Sequence, residues 1–250
     1  MYARPTVNGK LLSFGVSGKL WKDALVMYDR ETQSLWSHVT GQAIAGKLVG
    51  MRLQAVPALQ MTWAEWKQLY PQSLVLSKSL AQRGATGTYN VYESYSKDET
   101  QLGIFGTKNP DEVLPGKEFV VGLTVEAEAA AYPFRALSRQ PLVNDIVAGR
   151  PIVVTFSSAG ATGAAFSRTV GTRTLTFVNL RRERGDLLME DRETHTTWQA
   201  LSGQAVRGSL APARLVQLPS TLAFWFAWKG FHPQTRLWKP DTTAPAPPRP

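Results

Sequence analysis

A chain of 250 residues that is 43% hydrophobic, 19% charged and rich in Trp has the apolar surface to build a core, which excludes a disordered chain. No run approaches the roughly 20 apolar residues of a membrane span, the N-terminus lacks the basic-then-apolar pattern of a signal peptide, and zero Cys excludes disulfides, thiolate metal sites and Cys nucleophiles. The net charge of +9 favours anionic surroundings, but its densest cluster, Arg181-Arg182-Glu183-Arg184, is placed in a turn and is broken by Glu183; no reader motif accompanies it, so nucleic acid is not the expected partner.

In chain order, Asn8-Gly9 is a two-residue hairpin signal that pairs 2–7 with 11–14. Short apolar runs bounded by Gly and charged turns predict strands at 11–16 and 25–28. Thr62-Trp63-Ala64-Glu65 fits a capping box, with the Thr62 hydroxyl and the Glu65 carboxylate serving first-turn amides, and Pro71 stops the helix. Trp63 and Trp66, three apart, share a helical face. Further strands are expected at 119–125, 129–132 and 152–156, a short helix at 134–137 after Tyr132-Pro133, and strands at 174–178 and 187–189. A helix at Trp225 and Trp228 lacks the capping box. The Pro-rich stretch 239–250 has little to bury and is expected to be extended and disordered. The fold class is mainly β with a few short helices, a β-rich α+β chain.

A repeat organises these elements. Asp29-Arg30-Glu31-Thr32 recurs as Asp191-Arg192-Glu193-Thr194, an offset of 162 that holds without a gap from 25–76 to 187–238. The block carries 20 identities in 52 positions, far beyond chance, including Trp36 with Trp198, Gln42 with Gln204, Trp63 with Trp225 and Trp66 with Trp228. Leu12-Ser13-Phe14 matches Leu175-Thr176-Phe177 with the offset slipped by one. The repeat alone gives two domain-sized halves, which would pack about a pseudo-two-fold axis.

The chain resembles domain-of-unknown-function family 3179 of bacteria and archaea. The signatures are Phe14-Gly15-Val16-Ser17-Gly18, Val26-Met27-Tyr28-Asp29-Arg30-Glu31-Thr32, Gly41-Gln42-Ala43-Ile44-Ala45-Gly46 and Trp63-Ala64-Glu65-Trp66-Lys67, then Lys117-Glu118 before Val120-Val121-Gly122, Ala131-Tyr132-Pro133 and Val143-Asn144-Asp145. The resemblance implies no activity, and it implies that members are often exported or membrane-anchored. It also implies a Cys-Pro-x-Cys segment, whose place is held here by Ser157-Ser158-Ala159-Gly160, without thiol or soft-metal chemistry. It further implies that the two halves are the back half of a first copy at 1–80 and a whole second copy at 118–238, with a connector at 81–117 and the tail at 239–250. The first copy then keeps an unpaired strand edge, to be covered by a partner or by a second chain in a homo-oligomer.

The duplicated Asp29, Glu31, Asp191 and Glu193 are the candidate catalytic carboxylates, since alternate residues of an extended chain share a face. Gln42 and Gln204 could add amide oxygens. Such a cluster would take Ca²⁺ or Mg²⁺, although no cofactor is the expected state. The competing reading makes the motif a turn, with Arg30 and Arg192 neutralising the carboxylates. None of the three histidines is duplicated; Asp191, Glu193 and His195 alternate and form the only candidate His-containing metal set. Trp36 and Trp198, with Arg30, Arg192, Gln42 and Gln204, are the candidate ligand contacts, against the alternative that the tryptophans are core. Gly160-Ala161-Thr162-Gly163 fits no phosphate loop, and Ser157 and Ser158 lack a nucleophile elbow. The leading expectation is a non-catalytic binding or scaffold module. The rivals are a carboxylate-dependent, metal-assisted hydrolase and an anion-binding basic surface.

Overall fold

The computed structural model describes residues 1–76, 93–104, 106–109 and 111–240. Residues 81–92, 105 and 110 of the expected 81–117 connector and all of the tail beyond residue 240 lie outside the described residues. The fold is mainly β, as expected.

The Asn8-Gly9 hairpin forms with both residues at positive φ, 49° and 75°, but it pairs only β1 (Thr6–Val7) with β2 (Lys10–Leu11). Pro5 has no N–H to continue the ladder. Tyr2, expected in that strand, instead bridges Ala55. Strands β3 (Phe14–Trp21), β4 (Ala24–Asp29), β5 (Leu35–Ser37) and β6 (Ala43–Ala45) form an antiparallel meander in sequence order. Among the described residues two helices follow, α1 (Trp63–Leu69) and α2 (Glu93–Lys97).

Beyond them lie β7 (Phe119–Val125), β8 (Glu128–Pro133), α3 (Phe134–Leu137), β9 (Leu142–Val147), β10 (Arg150–Ser157) and β11 (Thr162–Ser167); the last three make a sheet ordered β11-β10-β9. A small hairpin of β12 (Thr169–Val170) and β13 (Arg173–Thr174) leads to a second meander, β14 (Phe177–Glu183), β15 (Asp186–Asp191), β16 (Thr197–Gln199) and β17 (Ala205–Arg207). Finally β18 (Ser220–Phe224), α4 (Trp225–Phe231) and β19 (Arg236–Leu237) complete a sheet ordered β18-β7-β8-β19, in which β19 runs parallel to β8.

The two meanders share their register. Met27 lies opposite Trp36 and Met189 opposite Trp198; Trp36 pairs with Ala43 and Trp198 with Ala205. Each first strand carries an irregularity, between Val16 and Leu20 and between Val178 and Arg181. The hairpin tips, Lys22-Asp23 and Arg184-Gly185, both hold positive φ at their two central residues, which matches the right-handed twist of the flanking strands. The basic cluster is therefore not a turn as a whole: Arg181, Arg182 and Glu183 close β14, and only Arg184 enters the tip.

Strand alternation in β7 and β8 feeds two cores. Val121, Leu123, Val125, Ala130 and Tyr132 face Ile152, Val154 and Phe156, while Val120 and Ala131 face Trp225 and Trp228 of α4. Gly122 lies opposite Ala131 in the ladder, and a Cβ there would overlap the six-membered ring of Trp228. Two small residues thus form the notch that receives the indole. No helix of the described residues is long and apolar enough to cross a membrane.

Gly122→Val should overpack this notch at a cost of about 1–3 kcal/mol. Differential scanning calorimetry is expected to show Tm lowered by roughly 3–10 °C. Gly230→Ala, whose Cβ would meet nothing within 4 Å, should leave Tm unchanged or slightly raised because Ala favours the helix.

Candidate functional site

The Asp-Arg-Glu-Thr motif closes the second strand of each meander, and its geometry is the same in both places. Asp29 and Asp191 are fully buried. In the first, Thr32 donates its amide to Asp29 Oδ1 at 2.5 Å and its hydroxyl to Oδ2 at 2.9 Å. The Trp36 indole Nε1 donates to Asp29 Oδ2 at 2.9 Å, and the Ser34 amide adds a bond at 3.2 Å. In the second, the Thr194 amide reaches Asp191 Oδ1 at 2.6 Å, its hydroxyl reaches Oδ2 at 2.9 Å, and Trp198 Nε1 donates to Oδ2 at 2.8 Å. These are Asx turns whose carboxylate also anchors an indole. Gln33 and His195, at equivalent positions, both take positive φ.

The acidic residue two places on clamps the segment ahead of the meander. Glu31 accepts from the Ser13 amide at 2.8 Å and hydroxyl at 2.7 Å, and Glu193 accepts from the Thr176 amide at 2.7 Å. The Arg30 and Arg192 amides donate to the Ser13 and Thr176 carbonyls, each at 2.9 Å. Burial alone would raise the Asp29 carboxyl, but the bonds from Trp36, Thr32 and Ser34 together outweigh it and hold its pKa below the ordinary range. The Ser13 side chain and amide lower Glu31. Burial opposes but does not overcome the lowering of Glu193 by Thr176.

Arg30 does not neutralise these carboxylates as expected; its guanidinium donates to the Phe14 carbonyl at 2.5 Å and lies over the Tyr28 ring. The Arg192 side chain is exposed. Trp36 and Trp198 are fully buried, so neither offers a ring face on which a sugar or base could stack; the indole bond and an edge-on contact to Phe14 or Phe177 fix each in the core. Gln42 and Gln204 accept from Arg52 at 3.3 Å and Arg214 at 2.6 Å, across the bridges that close each meander. Asp191, Glu193 and His195 take three separate partners, with His195 Nδ1 beside Glu190 at 3.1 Å. Among the described residues no group of three His, Asp or Glu side chains is placed to hold a metal ion.

A polar cluster that the sequence does not announce lies between α1 and the second meander. Thr62 caps α1 as expected, accepting from the Glu65 amide. The Glu65 carboxylate, expected to complete that box, instead crosses to β10, β11 and β14. It accepts from Ser157 Oγ, from Thr162 Oγ1 at 2.6 Å and from Arg182 at 3.1 Å, while Arg182 also donates to Ser157 Oγ. The repeat held one signal: position 227, equivalent to Glu65, is Ala, so this carboxylate belongs to one copy alone. The junction is reciprocal. Gln68 of α1 donates to the Arg184 carbonyl at 3.0 Å, and Lys22 donates to the Gly230 carbonyl of α4 at 2.8 Å. Since 22 + 162 = 184 and 68 + 162 = 230, equivalent positions meet.

Beside the Lys22 contact runs a cleft of two adjoining cavities, about 390 and 580 Å³, that share Met1, Tyr2, Val39, Ser220 and Thr221 in their walls. Trp21, Lys22, Gln42 and Arg52 line it from the first meander, and Trp228, Phe231 and His232 from α4 and its C-cap. Burial, then the nearby Lys22 ammonium, holds His232 below its usual pKa, so it stands neutral at pH 7. The cleft therefore offers aromatic surface with two cationic side chains and one carboxylate, Glu126, which Arg150 pairs at 2.7 Å, in the size range of small-molecule sites. Of the sequence candidates, only Gln42 reaches it.

Asp29→Ala and Asp191→Ala should each destabilise the protein by about 1–3 kcal/mol for every buried donor left unpaired, measured by urea unfolding. Because the folded pKa of Asp29, Glu31 and Glu193 is depressed, their stabilisation is complete above the ordinary carboxylate range and is lost as pH falls through the depressed folded values. Asp29→Asn should flatten the loss of stability between about pH 5 and pH 2. A double-mutant cycle of Glu65→Gln with Arg182→Met is expected to return a coupling of about 0.5–3 kcal/mol, since the two side chains share Ser157.

The model of a family described as "protein of unknown function (DUF3179)" matches residues 1–235. No curated protein and no solved structure matches the chain. A match over nearly the whole of the 250 residues, with the duplicated motif at the structural centre of both meanders, shows that the chain belongs to that family.

Proposed function

We propose that the protein is a non-catalytic β-rich binding and scaffold module, whose small-ligand surface is the cleft lined by Tyr2, Trp21, Lys22, Arg52, Phe231 and His232. The observation that carries this reading is the use made of the duplicated carboxylates. A catalytic acid or base needs a lone pair or proton directed at a substrate. Asp29 and Asp191 are buried with their oxygens committed to Thr, Ser and Trp donors, and Glu31 and Glu193 hold backbone amides. The same engagement weighs against a metal-assisted hydrolase built on these four residues. An anionic ligand is the second reading: Lys22 and Arg52 line the cleft, the one carboxylate there, Glu126, is paired with Arg150, and the whole chain carries +9.

The test is a hydrolase screen with ester, phosphoester and glycoside substrates, with and without Ca²⁺ or Mg²⁺. Background rates are expected throughout; turnover abolished by Asp191→Asn in a protein that still unfolds cooperatively would sink the proposal. For the second reading, Lys22→Ala with Arg52→Ala should shift elution from heparin to lower salt. Unchanged elution rules out the cleft as the anion site.

A further inference from the structure

The chain contains one docking arrangement twice, once filled and once open. In the filled instance, α4 lays Trp225 and Trp228 on the β7–β8 hairpin and both are buried, 1% and 2% exposed. Strand β18 pairs with β7 ahead of the helix, and β19 pairs with β8 behind it. In the open instance the equivalents of Trp225 and Trp228 are Trp63 and Trp66 of α1, and they are 51% and 38% exposed. Residues 58–62, equivalent to β18, form no strand. The equivalents of Arg236, Leu237 and Trp238 are Leu74, Val75 and Leu76, and these are 98%, 64% and 97% exposed. Five large apolar side chains this exposed, in two segments that the Trp66–Ser73 hydrogen bond brings together, are an uncommon surface for a monomer.

The open face is already organised as its filled counterpart is. Trp66 Nε1 donates to Ser73 Oγ at 2.7 Å, as Trp228 Nε1 donates to the equivalent Thr235 at 2.9 Å. Trp66 rests on Tyr70 as Trp228 rests on His232. The filled instance also shows what charge accompanies the hairpin: Asp111, eight residues before β7, accepts from Trp225 Nε1 at 3.0 Å and stands 3.7 Å from Lys229. Lys67 is the equivalent of Lys229 and is exposed.

We infer that the face formed by Trp63, Trp66 and 74–76 is a docking site for a β-hairpin of a different protein chain. That hairpin has small residues, Gly opposite Ala, at the notch beneath Trp66, and it is preceded by a carboxylate that meets Lys67 and the Trp63 indole. Main-chain pairing with 58–62 and 74–76 would add strands on both sides of it, the mode of β-augmentation. The inference deepens the binding-module reading and rests on it; the hydrolase screen tests that reading separately, because docking neither requires nor forbids turnover.

The probe is a synthetic peptide with the sequence of residues 111–133 of this chain, which contains no Trp. Added to the full-length protein, it is expected to give a saturable blue shift of Trp emission. The shift should weaken about tenfold or more with Trp66→Ala, as for an interfacial aromatic anchor. It should weaken likewise with a peptide carrying Gly122→Val or Asp111→Asn, tests that do not depend on any protein variant folding. The absence of a saturable shift, or a shift indifferent to both Trp66→Ala and the peptide changes, overturns the inference. So does a blue shift that grows with protein concentration alone, which would assign the face to a second copy of the chain.

Discussion

The hydrogen bond from a buried indole to a buried carboxylate, Trp36 to Asp29 and Trp198 to Asp191, is the interaction on which each meander depends. A carboxylate in an apolar interior is costly unless its lone pairs are filled, and here Trp, Thr and backbone donors fill them. The tryptophan, in return, has its one polar atom satisfied and can be buried entirely. The turn, the strand pairing of Met27 and Met189 opposite the indoles, and the clamp on the preceding segment are all fixed to this one point. The motif recurs so faithfully in sequence because several constraints meet on four residues.

The same coupling explains how much was legible. Hairpins at Asn8-Gly9, the strands at 119–125 and 25–28 and the Thr62 cap follow from local rules, and the structure places them there. The burial of Trp36, Trp198, Trp225 and Trp228 also follows, since a residue kept at matching positions with Gly and Pro around it is more naturally packing than chemistry; Trp63 and Trp66, read the same way, are exposed instead. Local rules misplaced the Glu65 carboxylate, because the capping box competes with Ser157, Thr162 and Arg182, which arrive from more than ninety residues away. The partner of Asp29 was misjudged for a similar reason. Arg30 is its chain neighbour and of opposite charge, but its side chain turns to Phe14, leaving the carboxylate to a tryptophan seven residues on. The cleft had no sequence signal, as its walls come from distant segments with no shared motif.

Equivalent positions do not have equivalent surroundings. Trp66 and Trp228 share a residue type, a helix, a hydrogen bond and an aromatic neighbour, but one is exposed and the other is sealed beneath a sheet. Sequence similarity between copies therefore reports the scaffold, while differences in burial report what each copy does with it. The unduplicated Glu65 is the complementary case: a residue present in one copy alone marks where that copy touches something of its own.

The reciprocal contacts of α1 with the Arg184 tip and of α4 with the Lys22 tip have a kinetic consequence. Two weak clasps joined through the same two bodies behave as a chelate: while one holds, the other re-forms at high effective concentration. Separation requires both to be open at once. Amide exchange in the two hairpin tips is then expected to be correlated, each tip borrowing protection from the bond made by the other.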